Sequence, residues 1–330
     1  MSLTNNKWLL IVGIIPIVIV VVAITSRFLH KPKPTTLTSI PNPQITTSPQ
    51  PQTAPSAIHY TGGSIDIPPA MLLYKSSGPI SLSVLTTNIA TTLNLTLNPH
   101  IANFWTNSTS TTALMFDEQR GLIQLTYASN QPSNQTVNQS QSIQTALNHL
   151  DGLGFNTHPK QVLSTQFFTG ISSLTPTTNP TVATTIAVGF GEKIQNLPTY
   201  YNSQNTPPFL VFLSNNQVTK VEISTYSQIS PTNLSIQTKS FNSIKQDLLN
   251  QRGQIIATNF EDALTTPNPR ATLNQASLEY RYSSELDLFI PYVRFSGNSD
   301  VGSELSPIEI IVPAVNTQAP AKSVSKNISQ

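Results

Sequence analysis

The sequence contains no cysteine, and it carries only 17 Lys and Arg against 15 Asp and Glu in 330 residues. The first absence excludes a disulfide scaffold, a thiol nucleophile, Cys-based zinc sites, iron–sulfur clusters and a lipid anchor on cysteine, each of which needs sulfur. The second leaves a charged fraction of 10% and a net charge of +2, where about 25% charged residues is usual. So weak a field gathers no phosphate backbone, which excludes nucleic acid held by counterion release. Solubility falls instead to Ser, Thr, Asn and Gln, a composition suited to an extracytoplasmic surface. Hydrophobic residues at 38% still suffice for cores, and the length suggests roughly two domains of about 150 residues.

One long apolar run is present. From Trp8 to Thr25 the chain reads WLLIVGIIPIVIVVVAIT without a charge, nearly enough at helical rise to cross about 30 Å of hydrocarbon. Residues 1–30 are therefore read as a transmembrane anchor in which Trp8, Leu9, Leu10, Ile11, Val12, Ile14, Ile15, Ile17, Val18, Ile19, Val20, Val21, Val22 and Ile24 meet the lipid bilayer. A cleaved signal peptide would end in an Ala-x-Ala-like site, which Ala23-Ile24-Thr25-Ser26-Arg27 matches poorly, so an uncleaved signal anchor is preferred. Lys7 lies on one side of the run and Arg27, Lys31 and Lys33 on the other, which by the positive-inside rule favours a cytoplasmic C-terminal region. Composition favours the opposite orientation, and long domains translocate largely regardless of flanking charge; an extracytoplasmic C-terminal region is expected. Residues 31–59, with seven prolines from Pro32 to Pro55 among Thr, Ser and Gln, read as a disordered, semi-extended stalk. Residues 317–330 read as a polar tail.

Between these ends the hydrophobic period alternates, and three units emerge, at 60–135, 136–230 and 231–316. In the first, Leu82, Leu85, Ile89, Ala90 and Leu93 recur at helical spacing, and Thr112–Phe116 and Leu122–Tyr127 form a hairpin closed at Gly121. The second opens on a helix carrying Ile143, Ala146, Leu147 and Leu150. Strands at 162–168, 181–190, 209–213 and 218–225 follow, with Ser214-Asn215-Asn216-Gln217 as a turn. The third has a helix through Phe241, Ile244, Leu248 and Leu249, then strands at 276–282, 289–295 and 308–312. The expected fold is α+β: a transmembrane helix, a stalk, and serial modules, each a helix on an antiparallel sheet.

The third unit runs from Ser243-Ile244-Lys245-Gln246-Asp247-Leu248-Leu249 through Ser277-Leu278-Glu279-Tyr280-Arg281-Tyr282 and Phe289-Ile290-Pro291-Tyr292-Val293-Arg294-Phe295 to Ile311-Val312-Pro313-Ala314-Val315. It resembles the membrane-anchored regulatory proteins of the YycH/YycI type and the related PepSY-like modules; the second unit resembles them more loosely. The resemblance covers about half of the chain and implies a regulatory partner at the cell envelope. Its motifs describe a fold more than an activity.

Residues for chemistry are sparse. His30, His59, His100, His149 and His158 form no metal-ligand spacing, and His149 reads as a helix-surface residue, so no metal is expected. No G-x-S-x-G elbow occurs. Gly189-Phe190-Gly191-Glu192-Lys193 lacks the remainder of a phosphate loop and reads as a strand end or bulge. Asp117-Glu118, Glu261-Asp262, Glu279, Glu285 and Asp287 read as solvated turn and edge charges. Six N-x-S/T triplets, from Asn94 to Asn327, arise by chance in an Asn/Thr-rich chain. Among aromatics, Trp105 reads as a core plug, whereas Tyr200 and Tyr201 are either a second plug or a loop patch for a protein or glycan. The sequence thus points to a non-enzymatic envelope protein without cofactor that acts through protein–protein contacts. The alternative is a cell-surface glycan binder using Tyr200 and Tyr201.

Overall fold

The structure, a computed structural model, describes residues 34–41, 43, 55–78, 80–128, 136–155, 160–170, 174–201, 206–224, 226–258, 270–301 and 304–317. The anchor residues Trp8 to Ile24 lie outside them. Among the described residues, no helix is long and apolar enough to cross a membrane.

Nineteen strands and three α-helices make up the described chain, so it is dominated by β structure. β1 (Thr35–Leu37), β2 (Ala57–Tyr60) and β3 (Ala70–Ser76) come first, then α1 (Leu82–Thr92). β4 (Thr96–Leu97), β5 (Phe104–Thr106), β6 (Thr112–Asp117) and β7 (Leu122–Tyr127) follow as a meander. α2 (Gln139–Leu150) starts at Asn138, whose side chain accepts a hydrogen bond from the Gln141 N–H, and runs into a π-helical turn at Asp151–Phe155. β8 (Gln161–Thr169), β9 (Thr175–Thr177), β10 (Thr185–Gly191), β11 (Lys193–Ile194), β12 (Leu197–Tyr200), β13 (Phe209–Ser214), β14 (Gln217–Ser224) and β15 (Ile229–Gln237) lead to α3 (Phe241–Leu249). β16 (Gln254–Thr258), β17 (Arg270–Ser283), β18 (Leu288–Val301) and β19 (Glu304–Pro313) close the chain.

These strands form two sheets. The nine-stranded sheet runs β4-β5-β6-β7-β14-β13-β10-β8-β9, antiparallel throughout. Val221 opposite Leu125 and Ile223 opposite Ile123 join β14 to β7. Ile89 of α1 and Ala146 and Leu150 of α2 share one core with Leu114, Ile123, Leu125, Val188, Val211 and Val221. Both helices therefore cover the same face of the same sheet. Fully burying a large apolar side chain such as Leu125 or Phe190 contributes about 1.5–3 kcal/mol, and this core is the larger of the two that carry helices.

The ten-stranded sheet is built on the long β17–β18 hairpin. One half of the hairpin is flanked by β2, parallel to β17, and by β19 with β16 beyond it. α3 lies over this half through Ile244 and Leu248, against Leu273, Val293, Phe295, Ile310 and Val312. The other half is flanked by β12, again parallel to β17, and by β3, which leads to β15 and β1.

Serial helix-plus-sheet modules are thus overturned. The helices and most strands stand where the hydrophobic period puts them, but β7 pairs with β14, so the first two units close a single sheet. β3 from the first unit and β11 and β12 from the second belong to the other sheet. Periodicity reports which face of an element is buried and carries no information about which distant strand it meets.

The stalk expectation also changes where its residues are described. β1 pairs in parallel with β15, the Ile40 N–H donates to the Asn316 carbonyl at 3.1 Å, and Ile40 is buried with Ile236, Ile290, Ile311 and Val315. β2 adds a strand to β17. Alternating Thr-Leu and Ala-Ile segments between prolines served as edge strands, which tolerate neighbouring prolines because one side of the strand needs no hydrogen bonds.

Candidate functional site

Tyr200 ends β12, Tyr201 follows it, and both are drawn into the protein. Tyr200 pairs with Arg281 in the parallel ladder, and its ring stacks 4.8 Å from the Arg281 guanidinium. Only 3% of Tyr200 is exposed. Tyr201 packs edge-on against Phe289 at 5.1 Å and donates its hydroxyl to the Ser227 carbonyl at 2.7 Å. It touches apolar residues of both sheets, which makes it a plug between them. Burial pushes both phenols above their ordinary range, Tyr201 to about 12. The two tyrosines therefore present no surface patch.

Beneath Tyr200 lies a cluster of buried charge. Glu279 and Arg281 are two apart on β17 and so share a face; the register sets Tyr292 opposite Glu279 and Arg294 opposite Ser277. The Arg281 Nε donates to Glu279 Oε1 at 2.6 Å, while Arg294 brings its Nε to 3.2 Å from Glu279 Oε2 and donates from Nη1 to Glu309 Oε1 at 3.2 Å. Glu279 and Arg281 are fully buried, whereas Arg294 and Glu309 reach solvent at the rim. Burial raises the Glu309 carboxyl, with Arg294 pulling it back and Glu279 adding to the rise. Each carboxylate is engaged by an arginine, so the cluster fixes strand register and offers no free acid–base pair. Its signal was the alternation Leu278-Glu279-Tyr280-Arg281-Tyr282. Glu279, expected as a solvated edge charge, is a core residue because Arg281 and Arg294 compensate it.

The remaining expected positions fall as follows. Trp105 on β5 packs against the main core. Gly189-Phe190-Gly191 lies in β10 at a register shift, a bulge as the sequence suggested. A side chain at Gly189 would collide with Pro207 and the Ser164 hydroxyl. Asp117 caps the β6–β7 turn by accepting from the Arg120 N–H, and Asp287 accepts from the Tyr282 hydroxyl. His59 and His100 are exposed, His30, His158, Glu261 and Asp262 lie outside the described residues, and among the described residues no group of three metal-ligating side chains occurs. His149 is not on the surface: its imidazole meets Tyr127 in the half-buried angle between α2 and β7.

A broader feature was not singled out from sequence. Residues directly opposite in a sheet share a face, and in the nine-stranded sheet Leu114, Leu125, Val221, Val211 and Val188 line the buried, helix-covered side. The alternate rows, with Phe104, Met115, Gln124, Glu222 and Leu210 in one and Thr106, Ala113, Thr126, Lys220 and Phe212 in the next, point the other way. None of the three described α-helices packs there. Phe104, Leu210 and Phe212 are half-buried, Met115 is 39% exposed, and Phe168 sits 6.3 Å from Phe212. Lys220 pairs with Glu222 at 2.6 Å and lies over the Phe212 ring, so the face is neutral.

No protein-family model matches the sequence, and no curated protein matches it. An uncharacterized protein from Eubacterium rectale ATCC 33656, whose crystal structure is solved, aligns with 81% of this chain and 91% of its own at 8% identity and a TM-score of 0.46. A likeness at that level assigns neither fold family nor activity.

Proposed function

We propose that this protein is a non-enzymatic, membrane-anchored extracytoplasmic binding or regulatory protein, held to the cell membrane by Trp8–Thr25 and acting through protein–protein contacts at the envelope. One observation carries the reading: a sheet of nine strands has both of its described α-helices on one face, while the other carries half-buried Phe104, Leu210 and Phe212 and the 39%-exposed Met115 among polar residues such as Gln124, Thr126 and the Lys220–Glu222 pair. An aromatic-bearing, charge-balanced face of this kind suits a partner that covers it. The resemblance of the final unit to YycH/YycI-type regulators supports the same role. The glycan reading needs Tyr200 and Tyr201 at the surface, and no observation favours it.

The absence of cysteine makes a direct test available. Met115→Cys, on the helix-free face, and Val84→Cys, on the outer side of α1 at 59% exposure, are each treated in intact cells with a membrane-impermeant maleimide. A cysteine-directed photocrosslinker is then attached at each position. Labelling of both in intact cells, with a discrete envelope-protein adduct from position 115 and none from position 84, is the expected result. Labelling only after lysis overturns the extracytoplasmic placement, and equal adducts from both positions overturn the assigned face.

A further inference from the structure

α2 is pinned by side chains at both ends. At its start, the Ser142 hydroxyl donates to Asn216 Oδ1 at 3.1 Å, and Asn216 Nδ2 donates to Gln141 Oε1 at 3.3 Å, tying the helix to the β13–β14 turn. At its end, in the last turn, the Tyr127 hydroxyl lies 2.9 Å from His149 Nε2, with the rings edge to face at 5.2 Å. The first attachment is made of amides and a hydroxyl and does not titrate. The second spans the seam of the sheet, since α2 otherwise packs on β10, β13 and β14 whereas Tyr127 ends β7. It contains the one side chain of the pair that changes charge near neutral pH.

We propose that His149 and Tyr127 form an acid-released latch that holds the C-terminal end of α2 against β7. In the closed state a neutral imidazole accepts the tyrosine proton at Nε2 and carries its own proton on Nδ1. Protonation turns both nitrogens into donors, so the tyrosine hydroxyl must reverse, and it places a cation where little water reaches. Among the described residues, nothing facing it compensates that charge: β10, β13 and α1 carry no ionisable side chain, Lys220 and Glu222 of β14 project from the opposite sheet face, and Asp151 of the π-helical turn is paired with Lys160 ahead of β8. Burial accordingly lowers the His149 pKa below its ordinary value. A histidine whose folded pKa is depressed gives stability that is complete above its unfolded pKa and is lost as pH falls through the folded one. Release frees the last turn of α2 and the adjoining π-helical turn, where Leu153 and Phe155 are buried.

The test is hydrogen exchange of the full chain in detergent micelles at about pH 7.5 and about pH 5, corrected for intrinsic rates, with α3 as internal reference. Protection over Gln139–Phe155 and Leu122–Tyr127 should fall by at least about threefold relative to α3 in acid. His149→Gln retains an acceptor for Tyr127 and does not titrate, and should abolish the acid response. Tyr127→Phe should lose protection already at the higher pH. An unchanged wild-type pattern, or a His149→Gln protein with the wild-type pH profile, overturns the latch. Where the glutamine variant does not fold, NMR titration of the imidazole decides: a value at or above that of an exposed histidine overturns it equally.

Discussion

At the scale of single residues, the buried charges separate two effects that are often merged. Glu279 and Arg281 are fully buried: Arg281 is tolerated because Glu279 stands against it, and Glu279 because Arg281 and Arg294 do. Removing one member of such a pair leaves a desolvated charge and typically costs about 3–5 kcal/mol. Arg281→Met should therefore lower the urea midpoint strongly, although methionine fills much of the same volume. A loss below about 1 kcal/mol would mean that Arg294 alone compensates Glu279 and that the Arg281 contact adds little. Tyr292, opposite Glu279 on the neighbouring strand, predicts the reverse sign. Its side chain is 2% exposed, and its hydroxyl has no hydrogen-bond partner among the described residues. Tyr292→Phe gives up no bond and removes a desolvated polar group, so it should raise stability by up to about 1 kcal/mol. Thermal unfolding of the two variants side by side reads both signs.

At the scale of elements, much of the secondary structure was legible. Leu82, Ile89 and Ala90, and Ile244 and Leu248, sit at helical spacing, and the helices form there. Asn215 and Asn216 adopt positive φ of 52° and 55°, the conformation that a two-residue hairpin turn requires. Partner choice was illegible because it depends on residues far apart in the chain: nothing in Leu122–Tyr127 names Gln217–Ser224 as its neighbour. The Tyr200 cluster was half legible, since alternation marked a strand but only the β12–β17 pairing sets Tyr200 on Arg281. Gly297 was also unread. It faces the register shift at Leu273–Gln275, where an added Cβ would strike the Thr272 carbonyl. Gly297→Val should thus separate the two longest strands locally and cost about 1–3 kcal/mol, with accelerated amide exchange centred on Leu273 and Gly297. A valine variant with wild-type exchange there would remove the close-approach explanation.

At the scale of the whole molecule, the chain ends matter most. Pro-rich sequence suggested a spacer between membrane and body, yet the sheet already begins at Thr35, and Ile40 bridges to Thr317 at the other end of the chain. If Trp8–Thr25 anchors the protein as proposed, only the nine residues Ser26–Pro34 separate it from β1, a reach of at most about 30 Å. The body would then stand near the bilayer rather than on a long stalk, and the edge of its ten-stranded sheet would be the part that first feels any pull from the anchor. Among the described residues, the contacts holding that edge include three ladder positions between β1 and β15, a hydroxyl contact of 2.9 Å between Thr36 and Ser235, the 3.1 Å bond from the Ile40 N–H to the Asn316 carbonyl, and Ile40 at 4% exposure among Ile236, Ile290, Ile311 and Val315. Ile40 is the largest apolar contribution among them. Ile40→Ala should cost about 2–4 kcal/mol of local stability, releasing β1 and the Asn316–Thr317 end together while leaving the helix-covered core of the nine-stranded sheet protected. Limited proteolysis of the full chain, followed by mass measurement of the fragments, distinguishes the outcomes. New cleavage confined to the segments around Thr35–Ile40 and Thr317 fits a strap that closes the ten-stranded sheet; a cleavage pattern identical to wild type would mean that these residues lie on the surface and hold nothing.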